Sequence, residues 1–222
     1  MKRGFFITGT DTDVGKTTVA LGLMATLHKK GFSVAAMKPV SAGCEQTPQG
    51  LRNEDSVRLM QQASVDLPYE LVNPYAFAVP IAPHIAAEQS GITMQIPALL
   101  AAYQEIAQHV DVVIVEGAGG WLVPLNQTQT MADLAVALQL PVITVVGIRL
   151  GCLSHALLTQ TSIKEHGLTQ AGWVANHLIP NMPYAKENID YLQQRVAGKL
   201  LGILPFKQQI TIEETAACLC MD

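Results

Sequence analysis

The chain has 222 residues, 49% of them apolar and 14% charged, with a formal net charge of −4. That balance excludes a disordered chain, and the lack of any basic block excludes the electrostatic footprint of a nucleic-acid binder. The length suits one domain with an ample core, so residues 1–222 are taken as a single unit.

In chain order, the first predicted strand is GFFITG (4–9), and a helix over 17–30 follows with Val19, Leu23 and Leu27 on one face. Further strands are expected at SVAAM (33–37), DVVIVEG (111–117), PVITVVG (141–147), QAGWVAN (170–176) and LLGIL (200–204). Each is short, β-branched and almost continuously apolar, the pattern of strands buried on both faces of a parallel sheet. Helices are expected over 96–109, 130–139, 154–166 and 184–199. The proline-rich stretch 66–95 reads as an irregular excursion with a short helix near His84. Alternating strands and helices imply a doubly wound α/β fold, a mostly parallel sheet flanked by helices, with ligands beyond the carboxyl ends of the strands.

Cys44, Cys152, Cys218 and Cys220 show neither a CxxC pair nor metal-like clustering, so reduced thiols in a cytoplasmic protein are expected. The opening MKRGFFITGTD starts basic, but its apolar run is too short for a secretory signal and meets Asp11 and Asp13. The longest apolar stretch, around LPVITVVGI, falls far short of a membrane span, so no membrane partner is expected. The six histidines lack metal-ligand spacing, Cys152 has no evident base partner, and Trp121 and Trp173 read as core or interface filling.

The chemistry is concentrated where strands end. GTDTDVGKTT (9–18) joins an apolar strand to a helix, the context that a phosphate-binding loop requires. The usual spacing would place the first glycine at position 10, which is Thr10, so Gly9 makes the loop one residue wider. Loop amides and the helix N-terminus can surround phosphate oxygens, with Lys16 reaching the β- and γ-phosphates and Thr17 holding Mg²⁺. Glu116 ends a strand before a glycine-rich turn, where a nucleotide enzyme needs an oxygen ligand for Mg²⁺. Lys38, at the end of SVAAMK, emerges where developing phosphate charge would want a cation.

GTDTDVGKT, KPVSAG, GLRNEDS, VNPYAF, PHIAAEQ, VEGAGGWLVPL, LPVITVVGIRLGCLSHALLT and GLTQAGWVANH together resemble the dethiobiotin synthetases, over residues 4 to about 205. That family's phosphate loop carries the same one-residue expansion. The resemblance implies a phosphate-loop NTPase fold and an ATP-dependent carboxylation in biotin synthesis. 7,8-Diaminononanoate takes up CO₂ as a carbamate, the carbamate attacks the γ-phosphate of ATP, and the second amine closes a cyclic urea.

Carried over, the Mg²⁺ ligands fall on Thr17, Asp55 and Glu116, and the catalytic lysines on Lys16 and Lys38. Asp13, Val14, Gly15, Lys16, Thr17 and Thr18 would surround the triphosphate, with Asp55, Glu116, Gly117, Ala118 and Gly119 beside it. Asn176, His177, Pro205 and Phe206 would hold the adenine side, while Thr12 and Ser41 would meet the substrate. Gly151, Cys152, Leu153 and Ser154 open a helix whose amides would take the substrate carboxylate across a homodimer interface. Departures from the family pattern are Asp13 for a glutamate, Ser41-Ala42 for Ala-Ser, and Arg149 for a lysine. Tyr184 and Tyr191 are both candidates for a tyrosine that helps hold the carboxylate, and the tail after Pro205 has no counterpart.

The rival reading is a partition- or cell-division-type switch ATPase. Those proteins typically bring a second lysine early in the loop, where this chain has Gly9-Thr10-Asp11. A cobyrinate-type amidase would need a glutaminase domain, and a GTP switch an Asn-Lys-x-Asp motif, and the sequence offers neither.

Overall fold

The protein, seen in a computed structural model, is described over residues 4–221; the basic opening residues 1–3 and the two ends of the 1–222 unit lie outside the described residues. The first half of the chain forms β1 (Gly4–Gly9), α1 (Lys16–Lys29), β2 (Val34–Met37), β3 (Val40–Ala42), β4 (Glu45–Thr47), β5 (Gly50–Arg52), α2 (Glu54–Gln61), α3 (Tyr69–Val72), β6 (Tyr75–Phe77), α4 (Pro83–Gln89) and α5 (Ile96–His109). The second half forms β7 (Val112–Gly120), α6 (Met131–Leu138), β8 (Val142–Ile148), α7 (Cys152–Glu165), β9 (Gln170–His177), α8 (Ala185–Gln193), β10 (Lys199–Leu204) and α9 (Ile212–Ala217).

The six apolar runs pair into one parallel sheet of order β10-β9-β8-β1-β7-β2. Period-two alternation sends neighbouring side chains into different cores. Phe6, Ala35, Met37, Val113 and Val115 pack on the α5–α6 side, while Ile7, Val34, Ala36, Val112 and Ile114 pack on the side of α1. A third cluster joins Val146, Ile148, Trp173 and Ala175 to α7 and α8. Both faces are therefore covered, which is why the strands read as continuous apolar runs rather than alternating ones.

Several boundaries move for physical reasons. The strand expected at 111–117 continues to Gly120, because Gly9↔Gly120 pairing prolongs its ladder with β1. The helix expected over 184–199 stops at Gln193, and Gly198 turns the chain with φ +80 against the backbone of Gln170 and Gly172 before β10 begins. The excursion 66–95 is more ordered than its composition suggests: it holds α3, α4 and β6, and β6 pairs with β3 in a separate two-stranded sheet. The tail folds back as α9 with a Thr211–Glu214 capping box, and lies against α1.

That contact is close enough to need a glycine. A Cβ at Gly22 would stand 2.4 Å from Thr215 Cγ2 and 3.1 Å from Leu219 Cδ1. Replacing a mid-helix glycine by alanine ordinarily favours the helix by about 1 kcal/mol. Here overpacking reverses the sign, and Gly22→Ala is expected to destabilise the chain by roughly 1–3 kcal/mol in thermal unfolding. The loss should shrink in a Thr215→Ala background; an equal loss in both backgrounds would contradict the packing argument.

Candidate active site

β1 ends in Gly9, and the loop that follows folds back over it. A Cβ there would meet Val14 Cγ2 at 2.6 Å, the Asp11 carbonyl oxygen at 2.8 Å and Lys16 Nζ at 3.2 Å. Thr10, at the position where the usual spacing has glycine, is still tied to the sheet, its amide donating to the Val145 carbonyl at 3.0 Å. The extra residue thus stays in the ladder, and the loop turns later. Asp13 (φ +56) and Gly15 (φ +90) both take the left-handed conformation that brings consecutive amides to one side. α1 then starts at Lys16 and directs its N-terminus into the loop.

Strand parity aims the other groups at this loop. Glu116 shares the parity of Val112 and Ile114, the face that packs on α1, and Lys38 continues that of Val34 and Ala36. Thr17 Oγ1 accordingly donates to Glu116 Oε1 at 2.7 Å, and Lys38 Nζ bonds the same oxygen at 2.7 Å. α2 brings in the third partner. Asn53 caps it by accepting from the Ser56 amide at 3.2 Å, and Asp55 in its first turn takes a 2.7 Å bond from Lys38 Nζ. Asp55 and Glu116 therefore share one ammonium group, and Thr17, 99 residues before Glu116, joins them through that glutamate.

The two lysines differ electrically. Burial is the largest influence on both and favours the neutral amine. For Lys38 the charges of Glu116 and Asp55 and their hydrogen bonds outweigh it, so its pKa is raised. For Lys16 burial prevails over the more distant Glu116, and the pKa is lowered. Lys16 Nζ donates to the backbone carbonyl of Asp11 at 3.0 Å. It is thus a desolvated cation whose charge an arriving phosphate would compensate. Asp55 is held below the usual carboxylate range: burial acts upward, but the charge and hydrogen bond of Lys38 exceed it.

These groups wall a cavity of about 890 Å³. Of the residues expected at the site, Thr12, Asp13, Gly15, Lys16, Thr17, Thr18, Lys38, Ser41, Asp55, Glu116, Ala118 and Gly119 line it. Beyond the charged floor the wall turns apolar, with Val40, Pro80, Ile81, Pro83 and Val123. Sequence reasoning did not single these out, because scattered apolar residues in loops carry no periodic signal. Arg58, one turn after Asp55, also lines the cavity and went unnoticed.

Among the described residues, Val14, Gly117, Asn176, His177, Pro205, Phe206 and residues 151–154 are not part of that wall. Asn176 is nevertheless joined to the loop, its Nδ2 donating to the Val14 carbonyl at 2.8 Å; a Cβ on Gly15 would strike the same nitrogen at 2.3 Å. Arg149 pairs with Asp11 at the loop's outer edge. Ser41 lines the cavity, but its hydroxyl donates to Asn73 Oδ1 at 2.6 Å. His84 lies in a second cavity, of about 510 Å³, with Glu88 and Thr93. Tyr184 and Tyr191 are both exposed, at opposite ends of α8.

The residues also fit a hard divalent cation. Glu116 Oε2 is buried without a hydrogen-bond partner, and two carboxylates with a threonine hydroxyl supply oxygen donors alone. No cluster of three or more His, Cys, Asp or Glu suited to a metal occurs among the described residues. A cation here would complete its shell from phosphate and water, as Mg²⁺ does.

Comparison with known proteins agrees with this geometry. A family model described as an AAA domain matches residues 3–214. The ATP-dependent dethiobiotin synthetase BioD of Cellvibrio japonicus is 48% identical over 218 residues, covering 98% of this chain and 96% of the relative. Its counterpart in Aeromonas hydrophila is 47% identical over 207 residues, covering 93% and 92%. The septum site-determining protein MinD complexed with Mg-ADP, from Pyrococcus horikoshii, superposes with a TM-score of 0.57 at 17% identity, over 99% of this chain and 87% of that one. At that identity the likeness speaks for the fold alone. The family match over residues 3–214 and the 47–48% identity over nearly the full length converge: the chain belongs to the ATP-dependent dethiobiotin synthetase family.

Proposed function

We propose that the protein converts 7,8-diaminononanoate, CO₂ and ATP into dethiobiotin, ADP and phosphate. The observation that carries this reading is the Lys38 ammonium, buried between Asp55 and Glu116 on the floor of a cavity that runs from the phosphate loop to an apolar wall. One end suits a triphosphate, and the other suits an aliphatic chain.

One amine of the diamine adds to CO₂ and loses a proton, giving a carbamate. A carbamate oxygen then attacks the γ-phosphorus, the bond to the bridging oxygen breaks, and ADP departs. The second amine attacks the carbamoyl carbon of the resulting anhydride, expels phosphate, loses a proton and closes the five-membered ring. No protein nucleophile is required. Two anions must instead be held together, and their charge offset as the phosphoryl group moves.

Lys16 and the loop amides face the β- and γ-phosphates in this reading, and Lys38 faces the carbamate and transferring oxygens. Thr12 and Gly119, whose residues line the same cavity, lie on the carbamate side. Mg²⁺, held by Thr17, Asp55 and Glu116, would offset charge on the phosphate oxygens. With Asp55 and Glu116 engaged as ligands, Lys38 would loosen its hold on them and offer its ammonium to the substrate. Asn176, already at the loop, with His177, Pro205 and Phe206, would border the base. Residues 151–154 stand outside this chain's cavity, and their amides would take the carboxylate of a substrate bound in a second copy. A cytoplasmic homodimer would bring such a copy, and Leu150 (94% exposed) and Leu158 (67% exposed), beside and on α7, are apolar groups that it would cover.

The direct test incubates the protein with ATP, Mg²⁺ and bicarbonate, with and without the diamine. Phosphate release that needs both diamine and bicarbonate, with a cyclic urea seen by mass spectrometry, is expected. Release indifferent to the diamine would reject the substrate. Lys38→Ala should lower kcat by about 10²- to 10³-fold while the KM for ATP changes little, because its charge serves the transition state more than the ground state. Asp55→Asn should raise the Mg²⁺ concentration for half-maximal nucleotide binding by at least about tenfold. An unchanged Mg²⁺ dependence would remove Asp55 from the ligand set.

A further inference from the structure

The VNPYAF stretch, Val72 to Phe77, makes no direct contribution to the cavity wall, yet its asparagine is among the most thoroughly bonded side chains in the chain. Asn73 is 2% exposed, and both ends of its amide are fully used. Oδ1 accepts from Ser41 Oγ at 2.6 Å and from the Tyr69 hydroxyl at 2.8 Å. Nδ2 donates to the Lys38 carbonyl at 2.7 Å and to the Tyr75 carbonyl at 3.3 Å. The backbone adds a further tie, since the Lys38 amide donates to the Val72 carbonyl at 2.7 Å.

The Tyr69 hydroxyl extends this network to the other side of the site. It accepts the Asn53 amide at 2.8 Å, and Asn53 is the residue whose side chain caps α2. The Arg52 guanidinium lies 4.0 Å from the centre of the Tyr69 ring and holds it in place. A continuous path of short hydrogen bonds therefore runs from the cap of the helix bearing Asp55, through Tyr69 and Asn73, to the backbone of Lys38. Asp55 and Lys38 are 17 residues apart in sequence, and their charged atoms meet at 2.7 Å.

We propose that Tyr69 and Asn73 are positioning residues for the reaction: they fix where the Lys38 ammonium stands relative to Asp55, and hold Ser41 in register with both. This inference rests on the proposed carboxylase function. The design is physically economical. A long lysine side chain has several soft torsions, and a buried amide that clamps its carbonyl limits where its root can move. Shifts on the order of 1 Å at a reacting group can cost about 10² in rate.

Asn73→Ala would take a buried partner from four groups at once and destabilise the fold around the site. Tyr69→Phe removes a single oxygen and keeps the ring under Arg52, so it carries the test. In the cyclic-urea assay, Tyr69→Phe should lower kcat about tenfold or more, with the KM values for ATP and diamine within about twofold of wild type. Thermal unfolding, measured in parallel, should show a folded variant at the assay temperature. In a Lys38→Ala background the same substitution should cost little further rate, because the two act through one group. A Tyr69→Phe variant with a lowered Tm and unchanged kcat would overturn the positioning role, as would a full, additive loss in the Lys38→Ala background. A wild-type protein that makes no cyclic urea would overturn the proposed function and this inference together, so the two failures are told apart.

Discussion

The ammonium group of Lys38, buried and bonded at 2.7 Å to both Asp55 and Glu116, is the interaction on which the site depends. A charge this deep is costly unless paired, and each partner comes from a different element: β2 brings the lysine, α2 one carboxylate and β7 the other. The fold brings together a cationic group and a set of anionic oxygens that balance each other. The same oxygens suit a divalent cation, and the same ammonium suits a phosphoryl group in transit. In the proposed reaction, binding would be an exchange of partners in which no charge need be left alone in a low-dielectric site.

The sheet makes that assembly possible. Because β1, β2 and β7 are parallel neighbours, their carboxyl ends come out side by side, and equal parity turns Lys38 and Glu116 toward α1. The phosphate loop leaves β1, which borders β7 on the side opposite β2. Thr10 remains bonded to β8, while on the β7 side the register shifts between Ile7 and Gly9, so that Gly9 lies beside Gly120. The far side of the cavity is built differently, from loops rich in proline that give an apolar and rather rigid wall. A triphosphate end and an alkyl end follow from these two kinds of backbone.

The strands and the loop were legible in the sequence because their signals are local: an apolar run, a glycine, a lysine and a threonine at fixed spacing. Lys38 was legible at a strand end and Glu116 as the acid before a run of glycines, although β7 runs on to Gly120 and their partnership was not visible. Asp55 was reachable only through family resemblance, since its direction depends on how α2 docks against β2. Tyr69 and Asn73 were hidden for the same reason. They sit in a stretch without periodicity, and their function comes from contacts with residues up to 35 positions away. The end of α8 was misjudged because Gly198, packed against the backbone of β9, breaks the helix-period pattern from outside it.

The most direct test of the account follows oxygen. In a carbamate that attacks phosphorus, one oxygen of CO₂ must pass to the released phosphate, and the other must remain as the ureido carbonyl. Turnover of ATP and diamine with ¹⁸O-labelled CO₂, faster than its exchange with water, should give phosphate carrying one labelled oxygen and dethiobiotin carrying one. Labelled cyclic urea alongside unlabelled phosphate would mean that ATP is cleaved by water or by another group. The central claim, that the site holds carbamate and triphosphate against each other across Lys38, would then fail.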